Sequence, residues 1–216
     1  TTTKRRCTRC DCETRELSLA TGPPNILFQK RFSNTYRMSK TSLPSLAITM
    51  GDPAGTGPEL LTRALIQEDI LNVCRPVVVG DAGVLDRARQ YTGCKASIQR
   101  LTSFDEATPS GDRISVLDLE NVDLAEIELG KVSSMAGEAA CQYIRAAAEA
   151  AMEGKVSGMV TSAINKEALN KAGHHFDGHT GLLAHLCNAP RVTMMLAADK
   201  LRVSHVSTHL SLREAI

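Results

Sequence analysis

From residue 46 onward, short apolar runs alternate with longer stretches in which apolar residues recur every three or four positions. Residues 46–50 form a nearly continuous apolar run, as expected of a strand buried on both faces. A Gly/Pro-rich loop follows, then a helical pattern over about 58–67. Residues 76–80 predict a second strand with a helix over 82–90 behind it, and 114–119 a third strand. The strongest helical pattern spans 134–152. There Ala140, Ile144, Ala147 and Ala151 share one face, Ser133 or Ser134 can cap the start, and Gly154 can end it. A strand is expected over 158–161, short helices over 166–172 and 180–186, and strands over 192–196 and 202–207. No internal repeat is visible. This alternation predicts an α/β protein around a mostly parallel sheet. Ser211 and Glu214 look like the opening of a last helix, and because one turn cannot stand alone, the chain is expected to be a fragment whose carboxyl-terminal part is missing.

At 216 residues and 43% apolar content, the chain can bury a sizeable core, which excludes a wholly disordered protein. Lys+Arg 25 against Asp+Glu 24 leaves +1, too little for a chain-wide field that would hold nucleic acid or an anionic membrane. The apolar runs fall far short of the roughly 18 residues of a membrane span. Small molecules are therefore the expected partners, and the cytoplasm the expected location.

The charge is unevenly spread. Residues 1–37 hold eight Lys or Arg and three acids, giving +5, so residues 38–216 carry 17 minus 21, or −4. With Gly22-Pro23-Pro24 and no regular apolar period, 1–37 reads as a disordered or non-native leader, and 38–216, opening on Met38, as a truncated catalytic domain. Asp11, Glu13 and Glu16 count against a mitochondrial presequence. Cys7, Cys10 and Cys12 form a C-x-x-C-x-C cluster that could donate to zinc, but no second pair follows at finger spacing. The odd total of seven cysteines favours free thiols in a reducing compartment.

In open α/β sheets ligands gather beyond the carboxyl ends of strands. After the first strand comes a loop from Gly51 to Glu59, whose glycines suit either a cradled anion or a tight strand-to-helix turn; it is neither a P-loop nor G-x-G-x-x-G. After 158–161 come Ser162, Asn165 and Lys166, the lysine being either an anion contact and candidate catalytic residue or merely solvated. His174, His175 and His179 crowd the next loop with Asp177. His205 and His209 have H-x-x-x-H spacing, but the β-branched residues between and around them argue for a strand that delivers His209 at its carboxyl end.

In order along the chain, the segments at 48–59, Asn165-Lys166-Glu167-Ala168-Leu169, Phe176-Asp177-Gly178-His179-Thr180 and Ser207-Thr208-His209-Leu210 with Leu212-Arg213 resemble the 4-hydroxythreonine-4-phosphate dehydrogenase family. The resemblance covers about residues 46–216. It implies an isopropylmalate dehydrogenase-like three-layer α/β/α fold and a homodimer with the active site between subunits. It also implies NAD or NADP and a divalent metal such as Zn, Mg or Co. His179 and Thr180 would bind a small phosphorylated hydroxy-acid substrate and His209 the metal, while two further metal histidines of the family have no counterpart here. The implied reaction oxidises a secondary hydroxyl, after which the keto acid can lose carbon dioxide. Gly181 stands where many vitamin B6 members have Glu. The run from Ser162 to Lys166 is closer to relatives acting on 4-phosphorylated threonate or erythronate. The other reading is a noncatalytic fragment or phosphate-binding module, and on either reading the chain is expected to be inactive as a dehydrogenase by itself.

Overall fold

The computed structural model describes residues 43–207 and 210–215. The leader expected over 1–37, its cysteine cluster, Met38, Thr208 and His209 lie outside the described residues.

The elements run β1 (Ser45–Thr49), α1 (Gly57–Ala64), α2 (Glu68–Leu71), β2 (Arg75–Gly80), α3 (Ala82–Thr92), β3 (Ser97–Leu101), β4 (Arg113–Asp118), α4 (Ser134–Met152), β5 (Gly158–Thr161), α5 (Lys166–Lys171), α6 (His179–Leu186), β6 (Met195–Ala198), β7 (Leu201–Ser204) and α7 (Leu212–Ala215). The first five strands form one sheet in the order β3-β4-β2-β1-β5, and every pair in it is parallel. Its middle is dry: Ala47, Val77, Val78, Val79 and Val116 are completely buried.

Connection handedness assigns the layers. The paths from β1 to β2 and from β2 towards β3 move across the sheet in one direction, so right-handed crossovers put α1 and α3 on the same face, where they pack on each other. The path from β4 to β5 returns across the sheet and puts α4 on the opposite face, against β1, β2 and β5. Ser133 caps α4, its hydroxyl accepting from the Ala136 N–H, and the buried face includes Ala140, Tyr143, Ile144 and Ala147. On the outer side of α4 lie α5 and α6, with Cys141, Ile144, Leu169 and Leu182 as a second core.

Two departures from expectation have physical causes. Strand β3 was not foreseen because it is an edge: only Ile98 and Leu101 are apolar, and the remaining residues face solvent in part or in full. The strands expected over 192–196 and 202–207 are instead β6 and β7, an antiparallel hairpin outside the parallel sheet, with every residue exposed. The Asp199-Lys200 turn joins them, with Asp199 at φ 41°. Position 209 follows the hairpin strand β7 in the chain and lies outside the described residues. The last helix opens as expected, the Glu214 carboxylate accepting from the Ser211 N–H and hydroxyl.

Candidate functional site

The loop leaving β1 leads to the α1 face, and the loop leaving the neighbouring β5 leads to α5 on the α4 face. A crevice between adjacent strands whose connections diverge is where open α/β sheets hold ligands. The two loops are stitched together at this point: the Asp52 N–H donates to the Ala163 carbonyl at 2.9 Å, and the Ser162 N–H donates to the Thr49 hydroxyl at 3.3 Å.

The glycines of the first loop serve this internal contact. Gly51 has φ 78°, and a Cβ there would lie 2.3 Å from the Ala163 oxygen, while one on Gly57 would lie 2.2 Å from the Met50 oxygen. Main chain, not ligand, fills the space that these residues leave, so the tight-turn reading is the one the structure supports. Asp52 is buried, accepts from the Ala54 N–H at 2.8 Å, and has its carboxyl pushed above the usual carboxylate range by burial. Sequence reasoning gave Asp52 no role of its own.

Beyond β5 the chain presents Ser162 and then α5, whose first turn is capped by the Asn165 side chain accepting from the Glu167 and Ala168 N–H groups. Asn165 is thus a helix cap. Lys166 is exposed, and its Cε lies 3.6 Å from where a Cβ on Gly178 would stand. Gly178, at φ 129°, delivers the chain into α6, so His179 and Thr180 are the first two residues of that helix. Thr180 is exposed; His179 is half-buried. The His179 ring hydrogen-bonds the main chain of Ser162, while Nε2 is buried without a partner. Burial holds the His179 imidazole below the ordinary histidine range, partly offset by the Ser162 contact. A neutral ring with one orphan nitrogen in a polar crevice is equipped to meet a ligand hydroxyl, phosphate or metal.

The structure therefore brings together Lys166, the start of α6 and the Ser162 turn. The other two histidines of the cluster separate from them: His174 pairs with Glu138 at 2.6 Å and His175 is exposed, while His185, in α6, lies tilted against Phe176 with ring centroids 5.5 Å apart. Glu138, in an alanine-rich helix, carried no sequence signal. His205 sits at the end of the β6–β7 hairpin, its N–H donating to the Met194 carbonyl. Among the described residues no three His, Cys, Asp or Glu side chains converge to hold a metal. A small cavity lined by Leu65, Pro76 and Arg113 opens at the opposite, amino end of the strands.

A family model described as pyridoxal phosphate biosynthetic protein PdxA matches residues 72–216. The chain is 43% identical over 175 residues to a 4-hydroxythreonine-4-phosphate dehydrogenase of Trichlorobacter lovleyi, covering 80% of this chain and 52% of that protein. It is 40% identical over 174 residues to a D-threonate 4-phosphate dehydrogenase of Cupriavidus necator, covering 81% of this chain and 52% of that one. A crystal structure of a 4-hydroxythreonine-4-phosphate dehydrogenase from Burkholderia phymatum superposes with a TM-score of 0.76 at 42% identity, over 80% of this chain and 52% of that one. The chain thus spans about half the length of the curated relatives it matches.

Proposed function

Since the chain belongs to the pyridoxal phosphate biosynthetic protein PdxA family, we propose that it carries the substrate-holding half of a dehydrogenase for a 4-phosphorylated hydroxy acid. Candidate substrates are 4-hydroxythreonine 4-phosphate, 4-phosphothreonate and 4-phosphoerythronate. The observation that carries this reading is the meeting of Lys166, His179 and Thr180 at the β1/β5 crevice, with His179 Nε2 buried and unpaired. Lys166 and the Thr180 hydroxyl offer donors for the substrate's anionic groups, reinforced by the unpaired N–H groups at the start of α6. Nε2 of His179 offers a neutral acceptor to a hydroxyl.

The reaction removes a hydride and a proton from the secondary carbinol, and the resulting keto acid can lose carbon dioxide. NAD or NADP supplies the hydride acceptor when bound, and a divalent metal (Zn, Mg or Co) is the family's means of polarising the oxygen. The described residues do not by themselves form a metal set. The metal role of His209 is part of the proposal, as are the homodimer and a cytoplasmic location. None of the described helices is long and apolar enough to cross a membrane.

A second reading is an anion-binding module without redox activity, because the donors that meet at the crevice, Lys166, Thr180 and the start of α6, suit an anion whether or not a hydride is transferred. The two separate experimentally. This chain and a chimera in which it replaces the matching half of the Trichlorobacter lovleyi relative are supplied with metal, NAD(P) and each of the three phosphorylated acids, and NAD(P)H is followed by absorbance. Turnover by the chimera, lost with His179→Ala, supports the dehydrogenase. Binding by the chain with a folded but inactive chimera favours the module.

A further inference from the structure

A continuous hydrogen-bonded chain of side chains runs along α4 to the loop before α6. The Tyr143 hydroxyl donates to Asn121 Oδ1 at 2.9 Å; Asn121 Nδ2 donates to Gln142 Oε1 at 2.7 Å; Gln142 Nε2 donates to Glu138 Oε1 at 2.8 Å; and Glu138 Oε2 meets His174 Nε2 at 2.6 Å. Tyr143 is fully buried, whereas Glu138 is half-exposed. Every link donates towards Glu138. A carboxylate only accepts, so Gln142 must turn its NH2 group to Glu138, which leaves its carbonyl for Asn121, which in turn leaves the Asn121 carbonyl for the tyrosine. The same logic at the other oxygen requires His174 to carry its proton on Nε2.

The two bonds from Gln142 and His174 hold the Glu138 carboxyl below the usual carboxylate range, with Arg145 adding a smaller favourable charge. What this anchor holds is the segment 173–178, bracketed by Gly173 at φ 88° and Gly178 at φ 129°. Only glycine enters these conformations readily, so the segment has two natural bending points. At its far end stand His179 and Thr180. Next to the anchor, Gly137 lets the main chain of α5 come against α4.

We propose that Glu138 is a positioning residue: by holding His174 it fixes the 173–178 loop and with it the placement of His179 and Thr180 at the start of α6. The site role of those two residues rests on the function proposed above; the positioning does not.

The test uses the isotope-labelled 216-residue chain and two readouts, imidazole tautomer by long-range proton–nitrogen correlation and backbone amide shifts of residues 178–180. In the wild type the neutral His174 ring carries its proton on Nε2. Glu138→Gln should release that preference and move the 178–180 amides, whereas Glu149→Gln, an exposed acid of the same helix, should move neither. His174→Leu should reproduce the amide shifts, and His174→Gln, which retains a donor for the carboxylate, should largely restore the wild-type positions. Titration with inorganic phosphate, read at His179 and Thr180, should weaken about tenfold in Glu138→Gln, the scale of one lost charge-assisted hydrogen bond. Unchanged 178–180 amides in both Glu138→Gln and His174→Leu overturn the proposal. Should Glu138→Gln fail to fold, the His174→Leu and His174→Gln pair decides. Failure of the wild-type chain to bind phosphate counts against the function proposed above and leaves the tautomer and amide readouts to decide the positioning.

Discussion

Gly137 of α4 and Ala168 of α5 are in main-chain contact: a Cβ built on the glycine would lie 2.0 Å from the Ala168 carbonyl oxygen and 2.7 Å from the Leu169 nitrogen. The obstacle is backbone, which cannot swing aside as a side chain can, so a single methyl group must push the helices apart. Gly137→Ala is expected to destabilise the fold by at least the ~1–3 kcal/mol typical of overpacking. It should also disturb the α5–α6 segment that carries Lys166 and His179. Gly158→Ala is the comparison, because its Cβ would meet only Leu46 Cδ2, at 3.7 Å, and no unusual φ is involved. Thermal unfolding of the two variants checks this, and equal melting temperatures would contradict it.

His179 gives the site a pH dependence whose sign follows from its burial. Its pKa in the folded chain is lowered from the model-peptide value of 6.5, so the unfolded state binds the proton more tightly. The stability associated with the neutral buried ring is therefore present above pH 6.5, falls as pH drops from there towards the lower folded value, and levels off below it. His179→Gln should flatten that part of the stability–pH curve in urea titrations between pH 5 and 8. An anion bound at Nε2 opposes the effect of burial by favouring the protonated ring. Phosphate binding should then take up protons near neutrality, which calorimetry in buffers of different ionisation enthalpy will detect as a buffer-dependent heat.

Much of this architecture can be read from the chain's own pattern, and the failures share a cause. α4 was predicted with its observed limits because Ser133, the 3.6-residue period of alanines and isoleucine, and Gly154 all point to one helix. β5 was equally clear as a short apolar run. β3 was missed, and the two strands expected after α6 were set with shifted limits, because edge and surface strands lack the two-sided burial that marks a strand and its ends. At the candidate site, the proposed roles of His179 and Thr180 come from a local motif, Phe176-Asp177-Gly178-His179-Thr180. Glu138 was not, since its meaning comes from His174, thirty-six positions later, across an inter-helix contact that no local pattern encodes.

The proposed anion contact of Lys166 predicts an effect on substrate affinity rather than on turnover. It is exposed, its Cε lies 3.6 Å from where a Cβ on Gly178 would stand, and on the proposed reading its charge attracts a phosphate at the start of α6. Lys166→Met keeps most of the aliphatic stem and removes the charge. In the chimera with the Trichlorobacter lovleyi relative, this change should raise KM for the phosphorylated acid about tenfold or more, leave KM for NAD(P) within about twofold, and leave folding unaffected. A selective fall in kcat with unchanged KM would instead give the lysine a role in the chemical step.

The metal assignment rests on His209, which lies outside the described residues, and on the Ser207-Thr208-His209-Leu210 motif. His205, four positions earlier, provides the contrast: its main chain is engaged at the end of the hairpin by Met194 and by the Thr193 hydroxyl. A catalytic metal normally draws about three protein ligands, so loss of one should greatly weaken retention of the ion without unfolding the protein. In the chimera, His209→Ala should lose most of its bound metal after dialysis and most of its turnover, whereas His205→Ala should keep both. Metal content measured by mass spectrometry tests the ligand role independently of activity. A His209→Ala chimera that retains a full complement of metal would remove this residue from the site.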